Sequence, residues 1–302
     1  MIVLLSLAVL IAGGVYLISD PGGVHPMPMH VPMKDHDPSP SSGPPSSSGP
    51  SPSSGPSPSP GPSPSPGTVL NLNDWKLQLP VAANQPGQVE EVTWPALRTY
   101  SSWYFQLNGA GNGVVFRATA GGATTPGTVF ARTELRQMTD GGTRQAAWSS
   151  VGSTWSMTIR EAITHLTPVH PAIVAGQIHG MGTHYVALVR LDGHLLWVKT
   201  DTGPGGTLDE NYQLGTIFTI KFVASGDVIR VYYNDALKVE LHEQCNGCYF
   251  KAGAYLQSNT NRDAPDSYGE VIIYDLAVSG SSSYIFLAAV VRQTWRPTRS
   301  RK

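Results

Sequence analysis

Residues Tyr249 to Gln257 have the sequence Y-F-K-A-G-A-Y-L-Q. Successive side chains of a β-strand point to opposite faces, so a strand here would present two different faces. The apolar face consists of Phe250, Ala252, Ala254 and Leu256. The opposite face consists of Tyr249, Lys251, Gly253, Tyr255 and Gln257. We predict that the apolar face packs on a core and that the polar face forms the floor of a groove, with Gly253 leaving room for a ligand.

A second strand with a charged face is predicted at Val129–Arg136, V-F-A-R-T-E-L-R. Arg132, Glu134 and Arg136 share one face of this strand. Three unpaired charges would be costly to bury, but the alternating sign lets the carboxylate hold both guanidinium groups. One interpretation is a solvated outer face with a ladder of ion pairs. The other is a binding face, because arginine suits the planar recognition of carboxylates.

A third polar row is predicted in A-G-Q-I-H-G, residues 175–180. Gln177 and His179 share a face, and Ile178 points to the core. A single histidine in a strand is usually structural, whereas a histidine paired with an amide between glycines is also a candidate for catalysis. Side chains on one face of a strand lie roughly 6.5–7 Å apart, which suits contacts to successive units of a sugar chain.

Residues 68–280 are predicted to fold as an all-β sandwich or barrel. This segment contains about a dozen short apolar or alternating runs, separated by Gly, Pro, Asn and Asp. Val, Ile, Thr, Tyr and Trp dominate these runs, and such residues favour strands joined by short turns. The only stretch with a helical period of useful length is Glu90–Tyr100.

The charge balance of the chain argues against nucleic-acid binding. The 302 residues carry 20 basic and 21 acidic side chains, a formal net charge of −1. Five of the basic residues lie in 292–302, so the remainder carries 15 basic against 21 acidic residues, a net charge of −6. A body without a basic surplus can attract a polyanion only through locally placed positive charge.

The two cysteines, Cys245 and Cys248, lie in C-N-G-C directly before Tyr249. One C-x-x-C pair without a second pair or flanking histidines is weak evidence for zinc, and Asn-Gly favours a tight turn. We predict a disulfide that fixes this turn and that fits an oxidising compartment. Free thiols and a redox or metal-binding pair are the alternatives.

The remaining segments are predicted to serve export and spacing. Residues 1–19 are assigned to a signal peptide or a signal anchor, because Ile2–Ile18 is a nearly continuous apolar run that could anchor the chain in a membrane. Residues 20–67, rich in Pro, Ser and Gly, predict a disordered linker. Residues 281–302 predict a disordered basic tail. We therefore expect a secreted or extracellular protein.

The polar rows together indicate proton abstraction beside a carboxylate. Glu134 has no second acidic residue placed for a glycosidase pair. The sequence contains neither a Ser-His-Asp order nor a phosphate-binding glycine loop. His, Tyr, Arg and amide side chains remain as the chemical groups, and their pattern requires neither a metal nor a cofactor.

Three ordered segments resemble the signature blocks of the alginate lyases of polysaccharide lyase family 7. They are R-T-E-L-R (132–136), Q-I-H (177–179) and Y-F-K-A-G-A-Y-L-Q (249–257). D-W-K-L-Q-L-P (74–80) also resembles the start of that domain. The resemblance covers the whole predicted sandwich and implies a β-jelly roll whose concave sheet forms the substrate groove. Leu256 departs from the family, where asparagine is common, but it lies on the face away from the groove.

The resemblance implies cleavage of a 1,4-linked uronan by β-elimination, which gives 4,5-unsaturated uronate ends. It assigns catalysis to Arg132, Gln177, His179 and Tyr255. Arg132 and Gln177 would neutralise the substrate carboxylate, and Tyr255 would protonate the leaving O4. The base would be His179 for guluronate, whose C5 proton and leaving oxygen lie on opposite faces, and Tyr255 for mannuronate, where they share a face.

The resemblance assigns substrate positioning to Glu134, Arg136, Lys251 and Gln257. The expected partner is an anionic polysaccharide, cleaved within its chain by a monomer that uses no cofactor, and Ile178 favours guluronate-containing alginate. One alternative is a lyase for glucuronan or another polyuronate on the same fold. Another is a non-catalytic carbohydrate-binding module, because jelly rolls serve both uses. Such a module would use exposed tryptophans, for which the candidates are Trp103, Trp148 and Trp197.

Overall fold

The computed structural model describes residues 64–182 and 184–282. The predicted signal segment, residues 20–63 of the predicted linker and the tail beyond residue 282 lie outside the described residues. A short helix, Pro66–Val69, begins within the predicted linker, and a 3₁₀ helix covers Ala96–Arg98. In residues 64–182 and 184–282 no helix has the length and apolarity that a membrane crossing requires.

The rest of the described chain consists of strands and their connections. The strands are β1 Trp75–Ala82, β2 Val89–Thr93, β3 Phe105–Leu107, β4 Val114–Thr119, β5 Arg132–Thr139, β6 Arg144–Gln145, β7 Ser153–His165, β8 Ala172–His179, β9 Tyr185–Asp192, β10 Leu195–Thr200, β11 Gly203–Asp209, β12 Phe218–Ser225, β13 Val228–Tyr233, β14 Ala236–His242, β15 Tyr249–Leu256 and β16 Tyr268–Ser282. The prediction of an all-β protein is therefore confirmed.

The described strands form two antiparallel sheets. One sheet has nine strands in the order β11-β10-β9-β8-β15-β5-β1-β2, with β6 beside β5. The other has seven strands in the order β14-β13-β12-β7-β16-β4-β3. Strands β5, β8 and β15 carry the three predicted polar rows, and they are neighbours in the centre of the first sheet although they lie far apart in the sequence.

The core lies between the two sheets and follows the predicted alternation of side chains. On β15, Phe250, Ala252, Ala254 and Leu256 are fully buried. They belong to the same core cluster as Phe116 of β4 and Phe222 of β12, which come from the second sheet and are also fully buried. Burying a large apolar side chain stabilises a fold by about 1.5–3 kcal/mol, so this interface fixes which face of β15 is left for the groove.

Gly253 has a different role from the predicted one. Its φ of +132° is a backbone conformation that residues with a Cβ rarely adopt. A Cβ at this position would approach the Thr133 carbonyl oxygen to 2.6 Å and the Phe116 ring to 2.8 Å. The prediction that Gly253 leaves room for a ligand in the groove is wrong, because the missing side chain would collide with β5 and the second sheet.

The sequence patterns do not predict β2, β3, β6 and β11, and the helical period at Glu90–Tyr100 is misleading. That stretch contains most of β2 and the 3₁₀ helix Ala96–Arg98. Strand β2 exists because it pairs with β1, where Lys76 lies opposite Thr93. Strand β11, G-P-G-G-T-L-D, has little strand propensity of its own and forms along the edge of β10.

The predicted disulfide is confirmed between Cys245 and Cys248. The turn that it closes is attached to the segment before β7, because Trp148 and Cys248 exchange two backbone hydrogen bonds of 2.8 Å. The hydroxyl group of Ser150 also accepts the backbone N–H of Cys245 at 3.0 Å. These contacts hold the start of β15 and therefore the position of its polar face.

Glu161 is a carboxyl group buried on the core side of β7. It shares that face with Met157, Ile159 and Ile163, all fully buried. Within the described residues neither of its oxygens has a hydrogen-bond partner. Burial raises the pKa of Glu161 from 4.5 to about 8, because the charged form cannot be solvated in the core.

We predict that Glu161 makes the fold less stable as the pH rises. Its folded-state pKa lies above its unfolded value, so its stability contribution is complete below pH 4.5 and is lost as the pH approaches about 8. The loss is at most about 5 kcal/mol at about 1.4 kcal/mol per pKa unit. Glu161→Gln should therefore lose less stability than the wild type between pH 5 and pH 8 in urea unfolding.

The matched control is Glu90→Gln, at an exposed position on β2, which should keep the wild-type pH dependence. Equal pH dependence of the wild type and Glu161→Gln would show that Glu161 does not titrate with a raised pKa.

Candidate active site

The three predicted polar rows form one continuous surface on the exposed face of the nine-stranded sheet. Tyr255 of β15 lies opposite Arg132 of β5. Lys251 lies between Arg136 of β5 and Gln177 of β8. Antiparallel neighbours lie about 5 Å apart, so residues from three distant segments become neighbours through strand pairing alone.

This surface is the floor of a groove with a volume of about 900 Å³. Seven of the eight predicted site residues line it: Arg132, Arg136, Gln177, His179, Lys251, Tyr255 and Gln257. The groove walls include the loop Thr125–Phe130 and Gly182. The alternative interpretation of Arg132, Glu134 and Arg136, a solvent-exposed outer face with a ladder of ion pairs, is therefore wrong.

Glu134 is the predicted site residue that the structure places elsewhere. Its side chain is fully buried beneath the groove, so it cannot contact a substrate as predicted. Its Oε2 lies 2.5 Å from Nζ of Lys251 and 3.2 Å from Nη1 of Arg132. Its Oε1 accepts a hydrogen bond from the amide of Gln177. Glu134 therefore holds three groove residues, each on a different strand, in place.

This buried cluster keeps its charges at neutral pH. Burial by itself would raise the pKa of Glu134, but Lys251 and Arg132 outweigh it and the pKa is lowered. Burial and the neighbouring Arg132 lower the pKa of Lys251 to about 8, although Glu134 opposes that shift. One carboxylate and two cations leave a net positive charge beneath the groove floor.

Arg132 and Tyr255 are held together at the centre of the groove. The guanidinium carbon of Arg132 lies 3.9 Å from the centre of the Tyr255 ring. Within the described residues, the buried Nε of Arg132 has no hydrogen-bond partner. The Tyr255 hydroxyl lies 2.8 Å from the hydroxyl of Thr128. A buried donor without a partner is costly to the folded state.

The contacts of His179 favour a neutral ring with an open Nε2. Its Nδ1 lies 2.9 Å from the Gly180 carbonyl oxygen and must donate to it, which leaves Nε2 unprotonated in the neutral ring. The ring stacks on Tyr249 with 5.0 Å between the ring centres. Burial lowers the pKa of His179, and Lys251 and Arg132 lower it further against the opposing effects of Gly180 and Glu134.

The structure adds groove residues that the sequence patterns do not assign. Lys76 and Gln78 of β1 line one side, and Tyr185, Arg190 and Lys199 line the other. The alternation in K-L-Q at 76–78 could have indicated the first pair. The alternation does not indicate Arg190, because register shifts between β8 and β9 interrupt the pairing of these strands.

Arg190 connects a predicted site residue to the far side of the groove. Its Nη1 donates to the side-chain oxygen of Gln257 at 2.9 Å. Its Nε and Nη2 hold both oxygens of Asp192 at 2.7 and 2.6 Å. The indole N–H of Trp197 donates to Asp192 at 2.7 Å. Trp197 is thereby fixed, and the predicted platform Trp148 is buried in the core, where it stacks on Trp155.

The groove is cationic. Its basic residues are Lys76, Arg132, Arg136, Arg190, Lys199 and Lys251, and among the described residues no Asp or Glu lines it. In the same part of the chain no three His, Cys, Asp or Glu side chains are grouped closely enough to hold a metal ion. A cationic floor with a neutral histidine, a tyrosine and an amide can bind an anionic chain and move a proton on it.

Comparisons with known proteins agree with this geometry. A sequence model of the alginate lyase family matches residues 70–280. Alginate lyase AlgAT5 of polysaccharide lyase family 7 is 46% identical with a TM-score of 0.68, covering 72% of this chain and 99% of its own. An alginate lyase from Corynebacterium sp. is 41% identical with a TM-score of 0.68, covering 72% and 98%.

A more distant lyase of the same family has been solved with a substrate. Family 7 alginate lyase A1-II′ in complex with the substrate GGMG is 25% identical with a TM-score of 0.61, covering 73% of this chain and 98% of its own. Among curated proteins, none matches the chain. The matched domain and the shared jelly roll cover the whole sandwich, and the chain belongs to the alginate lyases of polysaccharide lyase family 7.

Proposed function

We propose that this polysaccharide lyase cleaves alginate by β-elimination and prefers guluronate-containing regions. The observation that carries the proposal is the meeting of Arg132, Gln177, His179 and Tyr255 on one cationic groove floor. The anionic polymer would be attracted by the six basic groove residues. The relatives, which include a lyase complex with GGMG, support the choice of alginate as the substrate.

The first chemical task is to stabilise the charge that develops on the uronate. The C5 proton is a weak acid because the adjacent carboxylate is already negative, and its removal adds charge to that group. Arg132 and the amide of Gln177, which both line the groove, would neutralise this charge. Donors that are already fixed in a water-poor site usually give the largest share of catalysis. Glu134 provides that fixation from below.

The second task is the transfer of protons. For guluronate, Nε2 of His179 would accept the C5 proton, and its lowered pKa keeps it available as a base. Tyr255 would donate its proton to O4 as the C4–O4 bond breaks and the C4–C5 double bond forms. For mannuronate, Tyr255 would act in its deprotonated form, take the C5 proton and pass it to O4 on the same face.

Substrate preference cannot come from a direct contact of Ile178, because that side chain is fully buried on the core side of β8. Any effect of this residue would act through its neighbours Gln177 and His179. We propose the guluronate preference because His179 is the groove residue held as a neutral base with an open Nε2.

We also propose that the enzyme cuts within the polymer. The basic floor runs from Lys76 on β1 to Lys199 on β10, across β5, β15, β8 and β9. At roughly 4.8 Å per strand this distance is about 24 Å. The catalytic residues lie between the two ends, so sugar units can bind on both sides of the cleaved bond. Early release of mixed long oligomers would support internal cleavage, and release of one short product from the start would contradict it.

The proposed reaction predicts unsaturated products with absorbance near 235 nm. The wild type should give a rising signal on polyguluronate and a slower one on polymannuronate, each measured separately and beside glucuronan. Tyr255→Phe keeps the ring and removes only the proton donor, so it should abolish the rise and leave substrate binding largely intact. No rise on either alginate block would contradict alginate as the substrate, and a rise on glucuronan alone would favour the alternative polyuronate.

Glu134→Gln is predicted to damage both stability and activity. The change leaves Arg132 and Lys251 buried without their counter-charge, which should cost about 3–5 kcal/mol in urea unfolding. Displacement of Arg132 should also lower kcat/KM roughly 100-fold in the 235 nm assay. The matched control is Glu240→Gln, which breaks a half-exposed ion pair with Arg230 and should change stability by less than about 1 kcal/mol. Equal effects of the two changes would contradict the supporting role of Glu134.

We propose that the protein is secreted or held outside the cell by its apolar N-terminal segment. The proposal is supported by the Ile2–Ile18 run and by a disulfide, which favours an oxidising compartment. Mass measurement on the protein from culture medium and from membranes should find a disulfide-linked chain, shortened by about the first 19 residues if the segment is cleaved. Recovery of only full-length, reduced protein from the cytosol would contradict export.

A further inference from the structure

Thr128 is the one hydrogen-bond partner of the Tyr255 hydroxyl within the described residues. The two oxygens lie 2.8 Å apart. The other contacts of Tyr255 are made by its ring, which has the Arg132 guanidinium 3.9 Å from its centre and Phe130 near its edge. Arg132 therefore fixes the plane of the ring, whereas Thr128 alone contacts the atom that would give up a proton.

The Thr128 hydroxyl has the capacity to pass on a proton. A hydroxyl has one donor hydrogen and two acceptor lone pairs. One lone pair accepts the backbone N–H of Phe130 at 3.2 Å, which orients the group. The hydrogen can then point to Tyr255, and the second lone pair is free. Thr128 is half-buried and lines the groove, so water in the groove can reach it.

After the proposed reaction on guluronate, both proton-transfer groups have the opposite protonation state from the one in which they began. His179 has gained the C5 proton and Tyr255 has lost its own to O4. Before the next turnover, Tyr255 must regain a proton and His179 must release one. On mannuronate no such step is needed, because Tyr255 begins as the phenolate, takes a proton from C5, gives it to O4 and ends as the phenolate again.

We propose that Thr128 returns the proton to Tyr255 after each cleavage of a guluronate unit. The Thr128 O–H bond breaks as the proton moves to the Tyr255 oxygen, and Thr128 takes a proton from a groove water. The resulting hydroxide takes the proton that leaves Nε2 of His179, so atoms and charges balance. Until that transfer, the same hydroxyl donates a hydrogen bond to the Tyr255 phenolate and stabilises it. This assignment rests on the proposed roles of Tyr255 and His179.

The test compares Thr128→Val, which has nearly the same shape without a hydroxyl, with Thr128→Ser, which keeps the hydroxyl. On polyguluronate, Thr128→Val should lower kcat at least about tenfold with KM within about twofold, and Thr128→Ser should stay within about threefold of the wild type. Small buffer acids should restore kcat of Thr128→Val as their concentration rises, because they can deliver the missing proton. The kcat of the wild type should not change with the concentration of the buffer acid. On polymannuronate neither variant should depend on buffer concentration.

The matched control is Thr124→Val, in the same loop but outside the groove lining, which should keep wild-type kinetics. Thermal unfolding checks that each variant is folded, and Thr128→Ala replaces Thr128→Val if the latter is not. If Thr128→Val, which lacks the hydroxyl, keeps the wild-type kcat on polyguluronate, the proposal is overturned. A loss of kcat that Thr128→Ser does not repair, or that buffer does not relieve, would also overturn it, because Thr128 would then act through packing.

Failure of this inference can be told apart from failure of the proposed function. If Tyr255→Phe is inactive while Thr128→Val is normal, only the role of Thr128 is wrong. If Tyr255→Phe keeps full activity, the role of Tyr255 itself is wrong.

Discussion

The buried carboxylate of Glu134 makes the contacts on which the groove floor depends. It joins β5, β15 and β8 through Arg132, Lys251 and Gln177, the three strands that carry the polar rows. A lone buried charge would be strongly unfavourable, and the two cations and the amide make it tolerable. Because of these contacts, the side chains that would meet the substrate carboxylate have little conformational freedom before a ligand binds. Orientation is thereby established during folding rather than during binding.

The same cluster sets the electrostatics of the groove. Two cations share one buried anion, so the floor is positive although the chain as a whole is slightly negative. Burial, together with those cations, lowers the pKa of His179, which favours a neutral ring in a site that attracts anions. In the proposed mechanism, substrate binding and proton abstraction therefore use the same arrangement of charge. A positively charged histidine would bind the polymer as well but could not act as a base.

Much of the fold and of the site could be predicted from the sequence. The period of two in Y-F-K-A-G-A-Y-L-Q separates Phe250 from Lys251, and burial of the apolar face decides which face is open. The role of Glu134 could not be predicted, because a charge on a polar strand face looks the same whether it lines a groove or lies beneath it. The role of Gly253 could not be predicted either, because its positive φ lies at a register shift against β8, which depends on strand pairing.

Thr128 and Arg190 show where local pattern stops being informative. Thr128 lies in a glycine- and threonine-rich loop that has no periodicity, and only folding brings it to the Tyr255 hydroxyl. Arg190 lies on a strand whose alternation is interrupted, and only strand order brings it to Gln257. The sequence by itself determined most of the strands, their apolar faces and the set of chemical groups, because these follow from side-chain alternation. The tertiary structure alone decided which groups are buried, paired or free, because those states depend on neighbours that are distant in the chain.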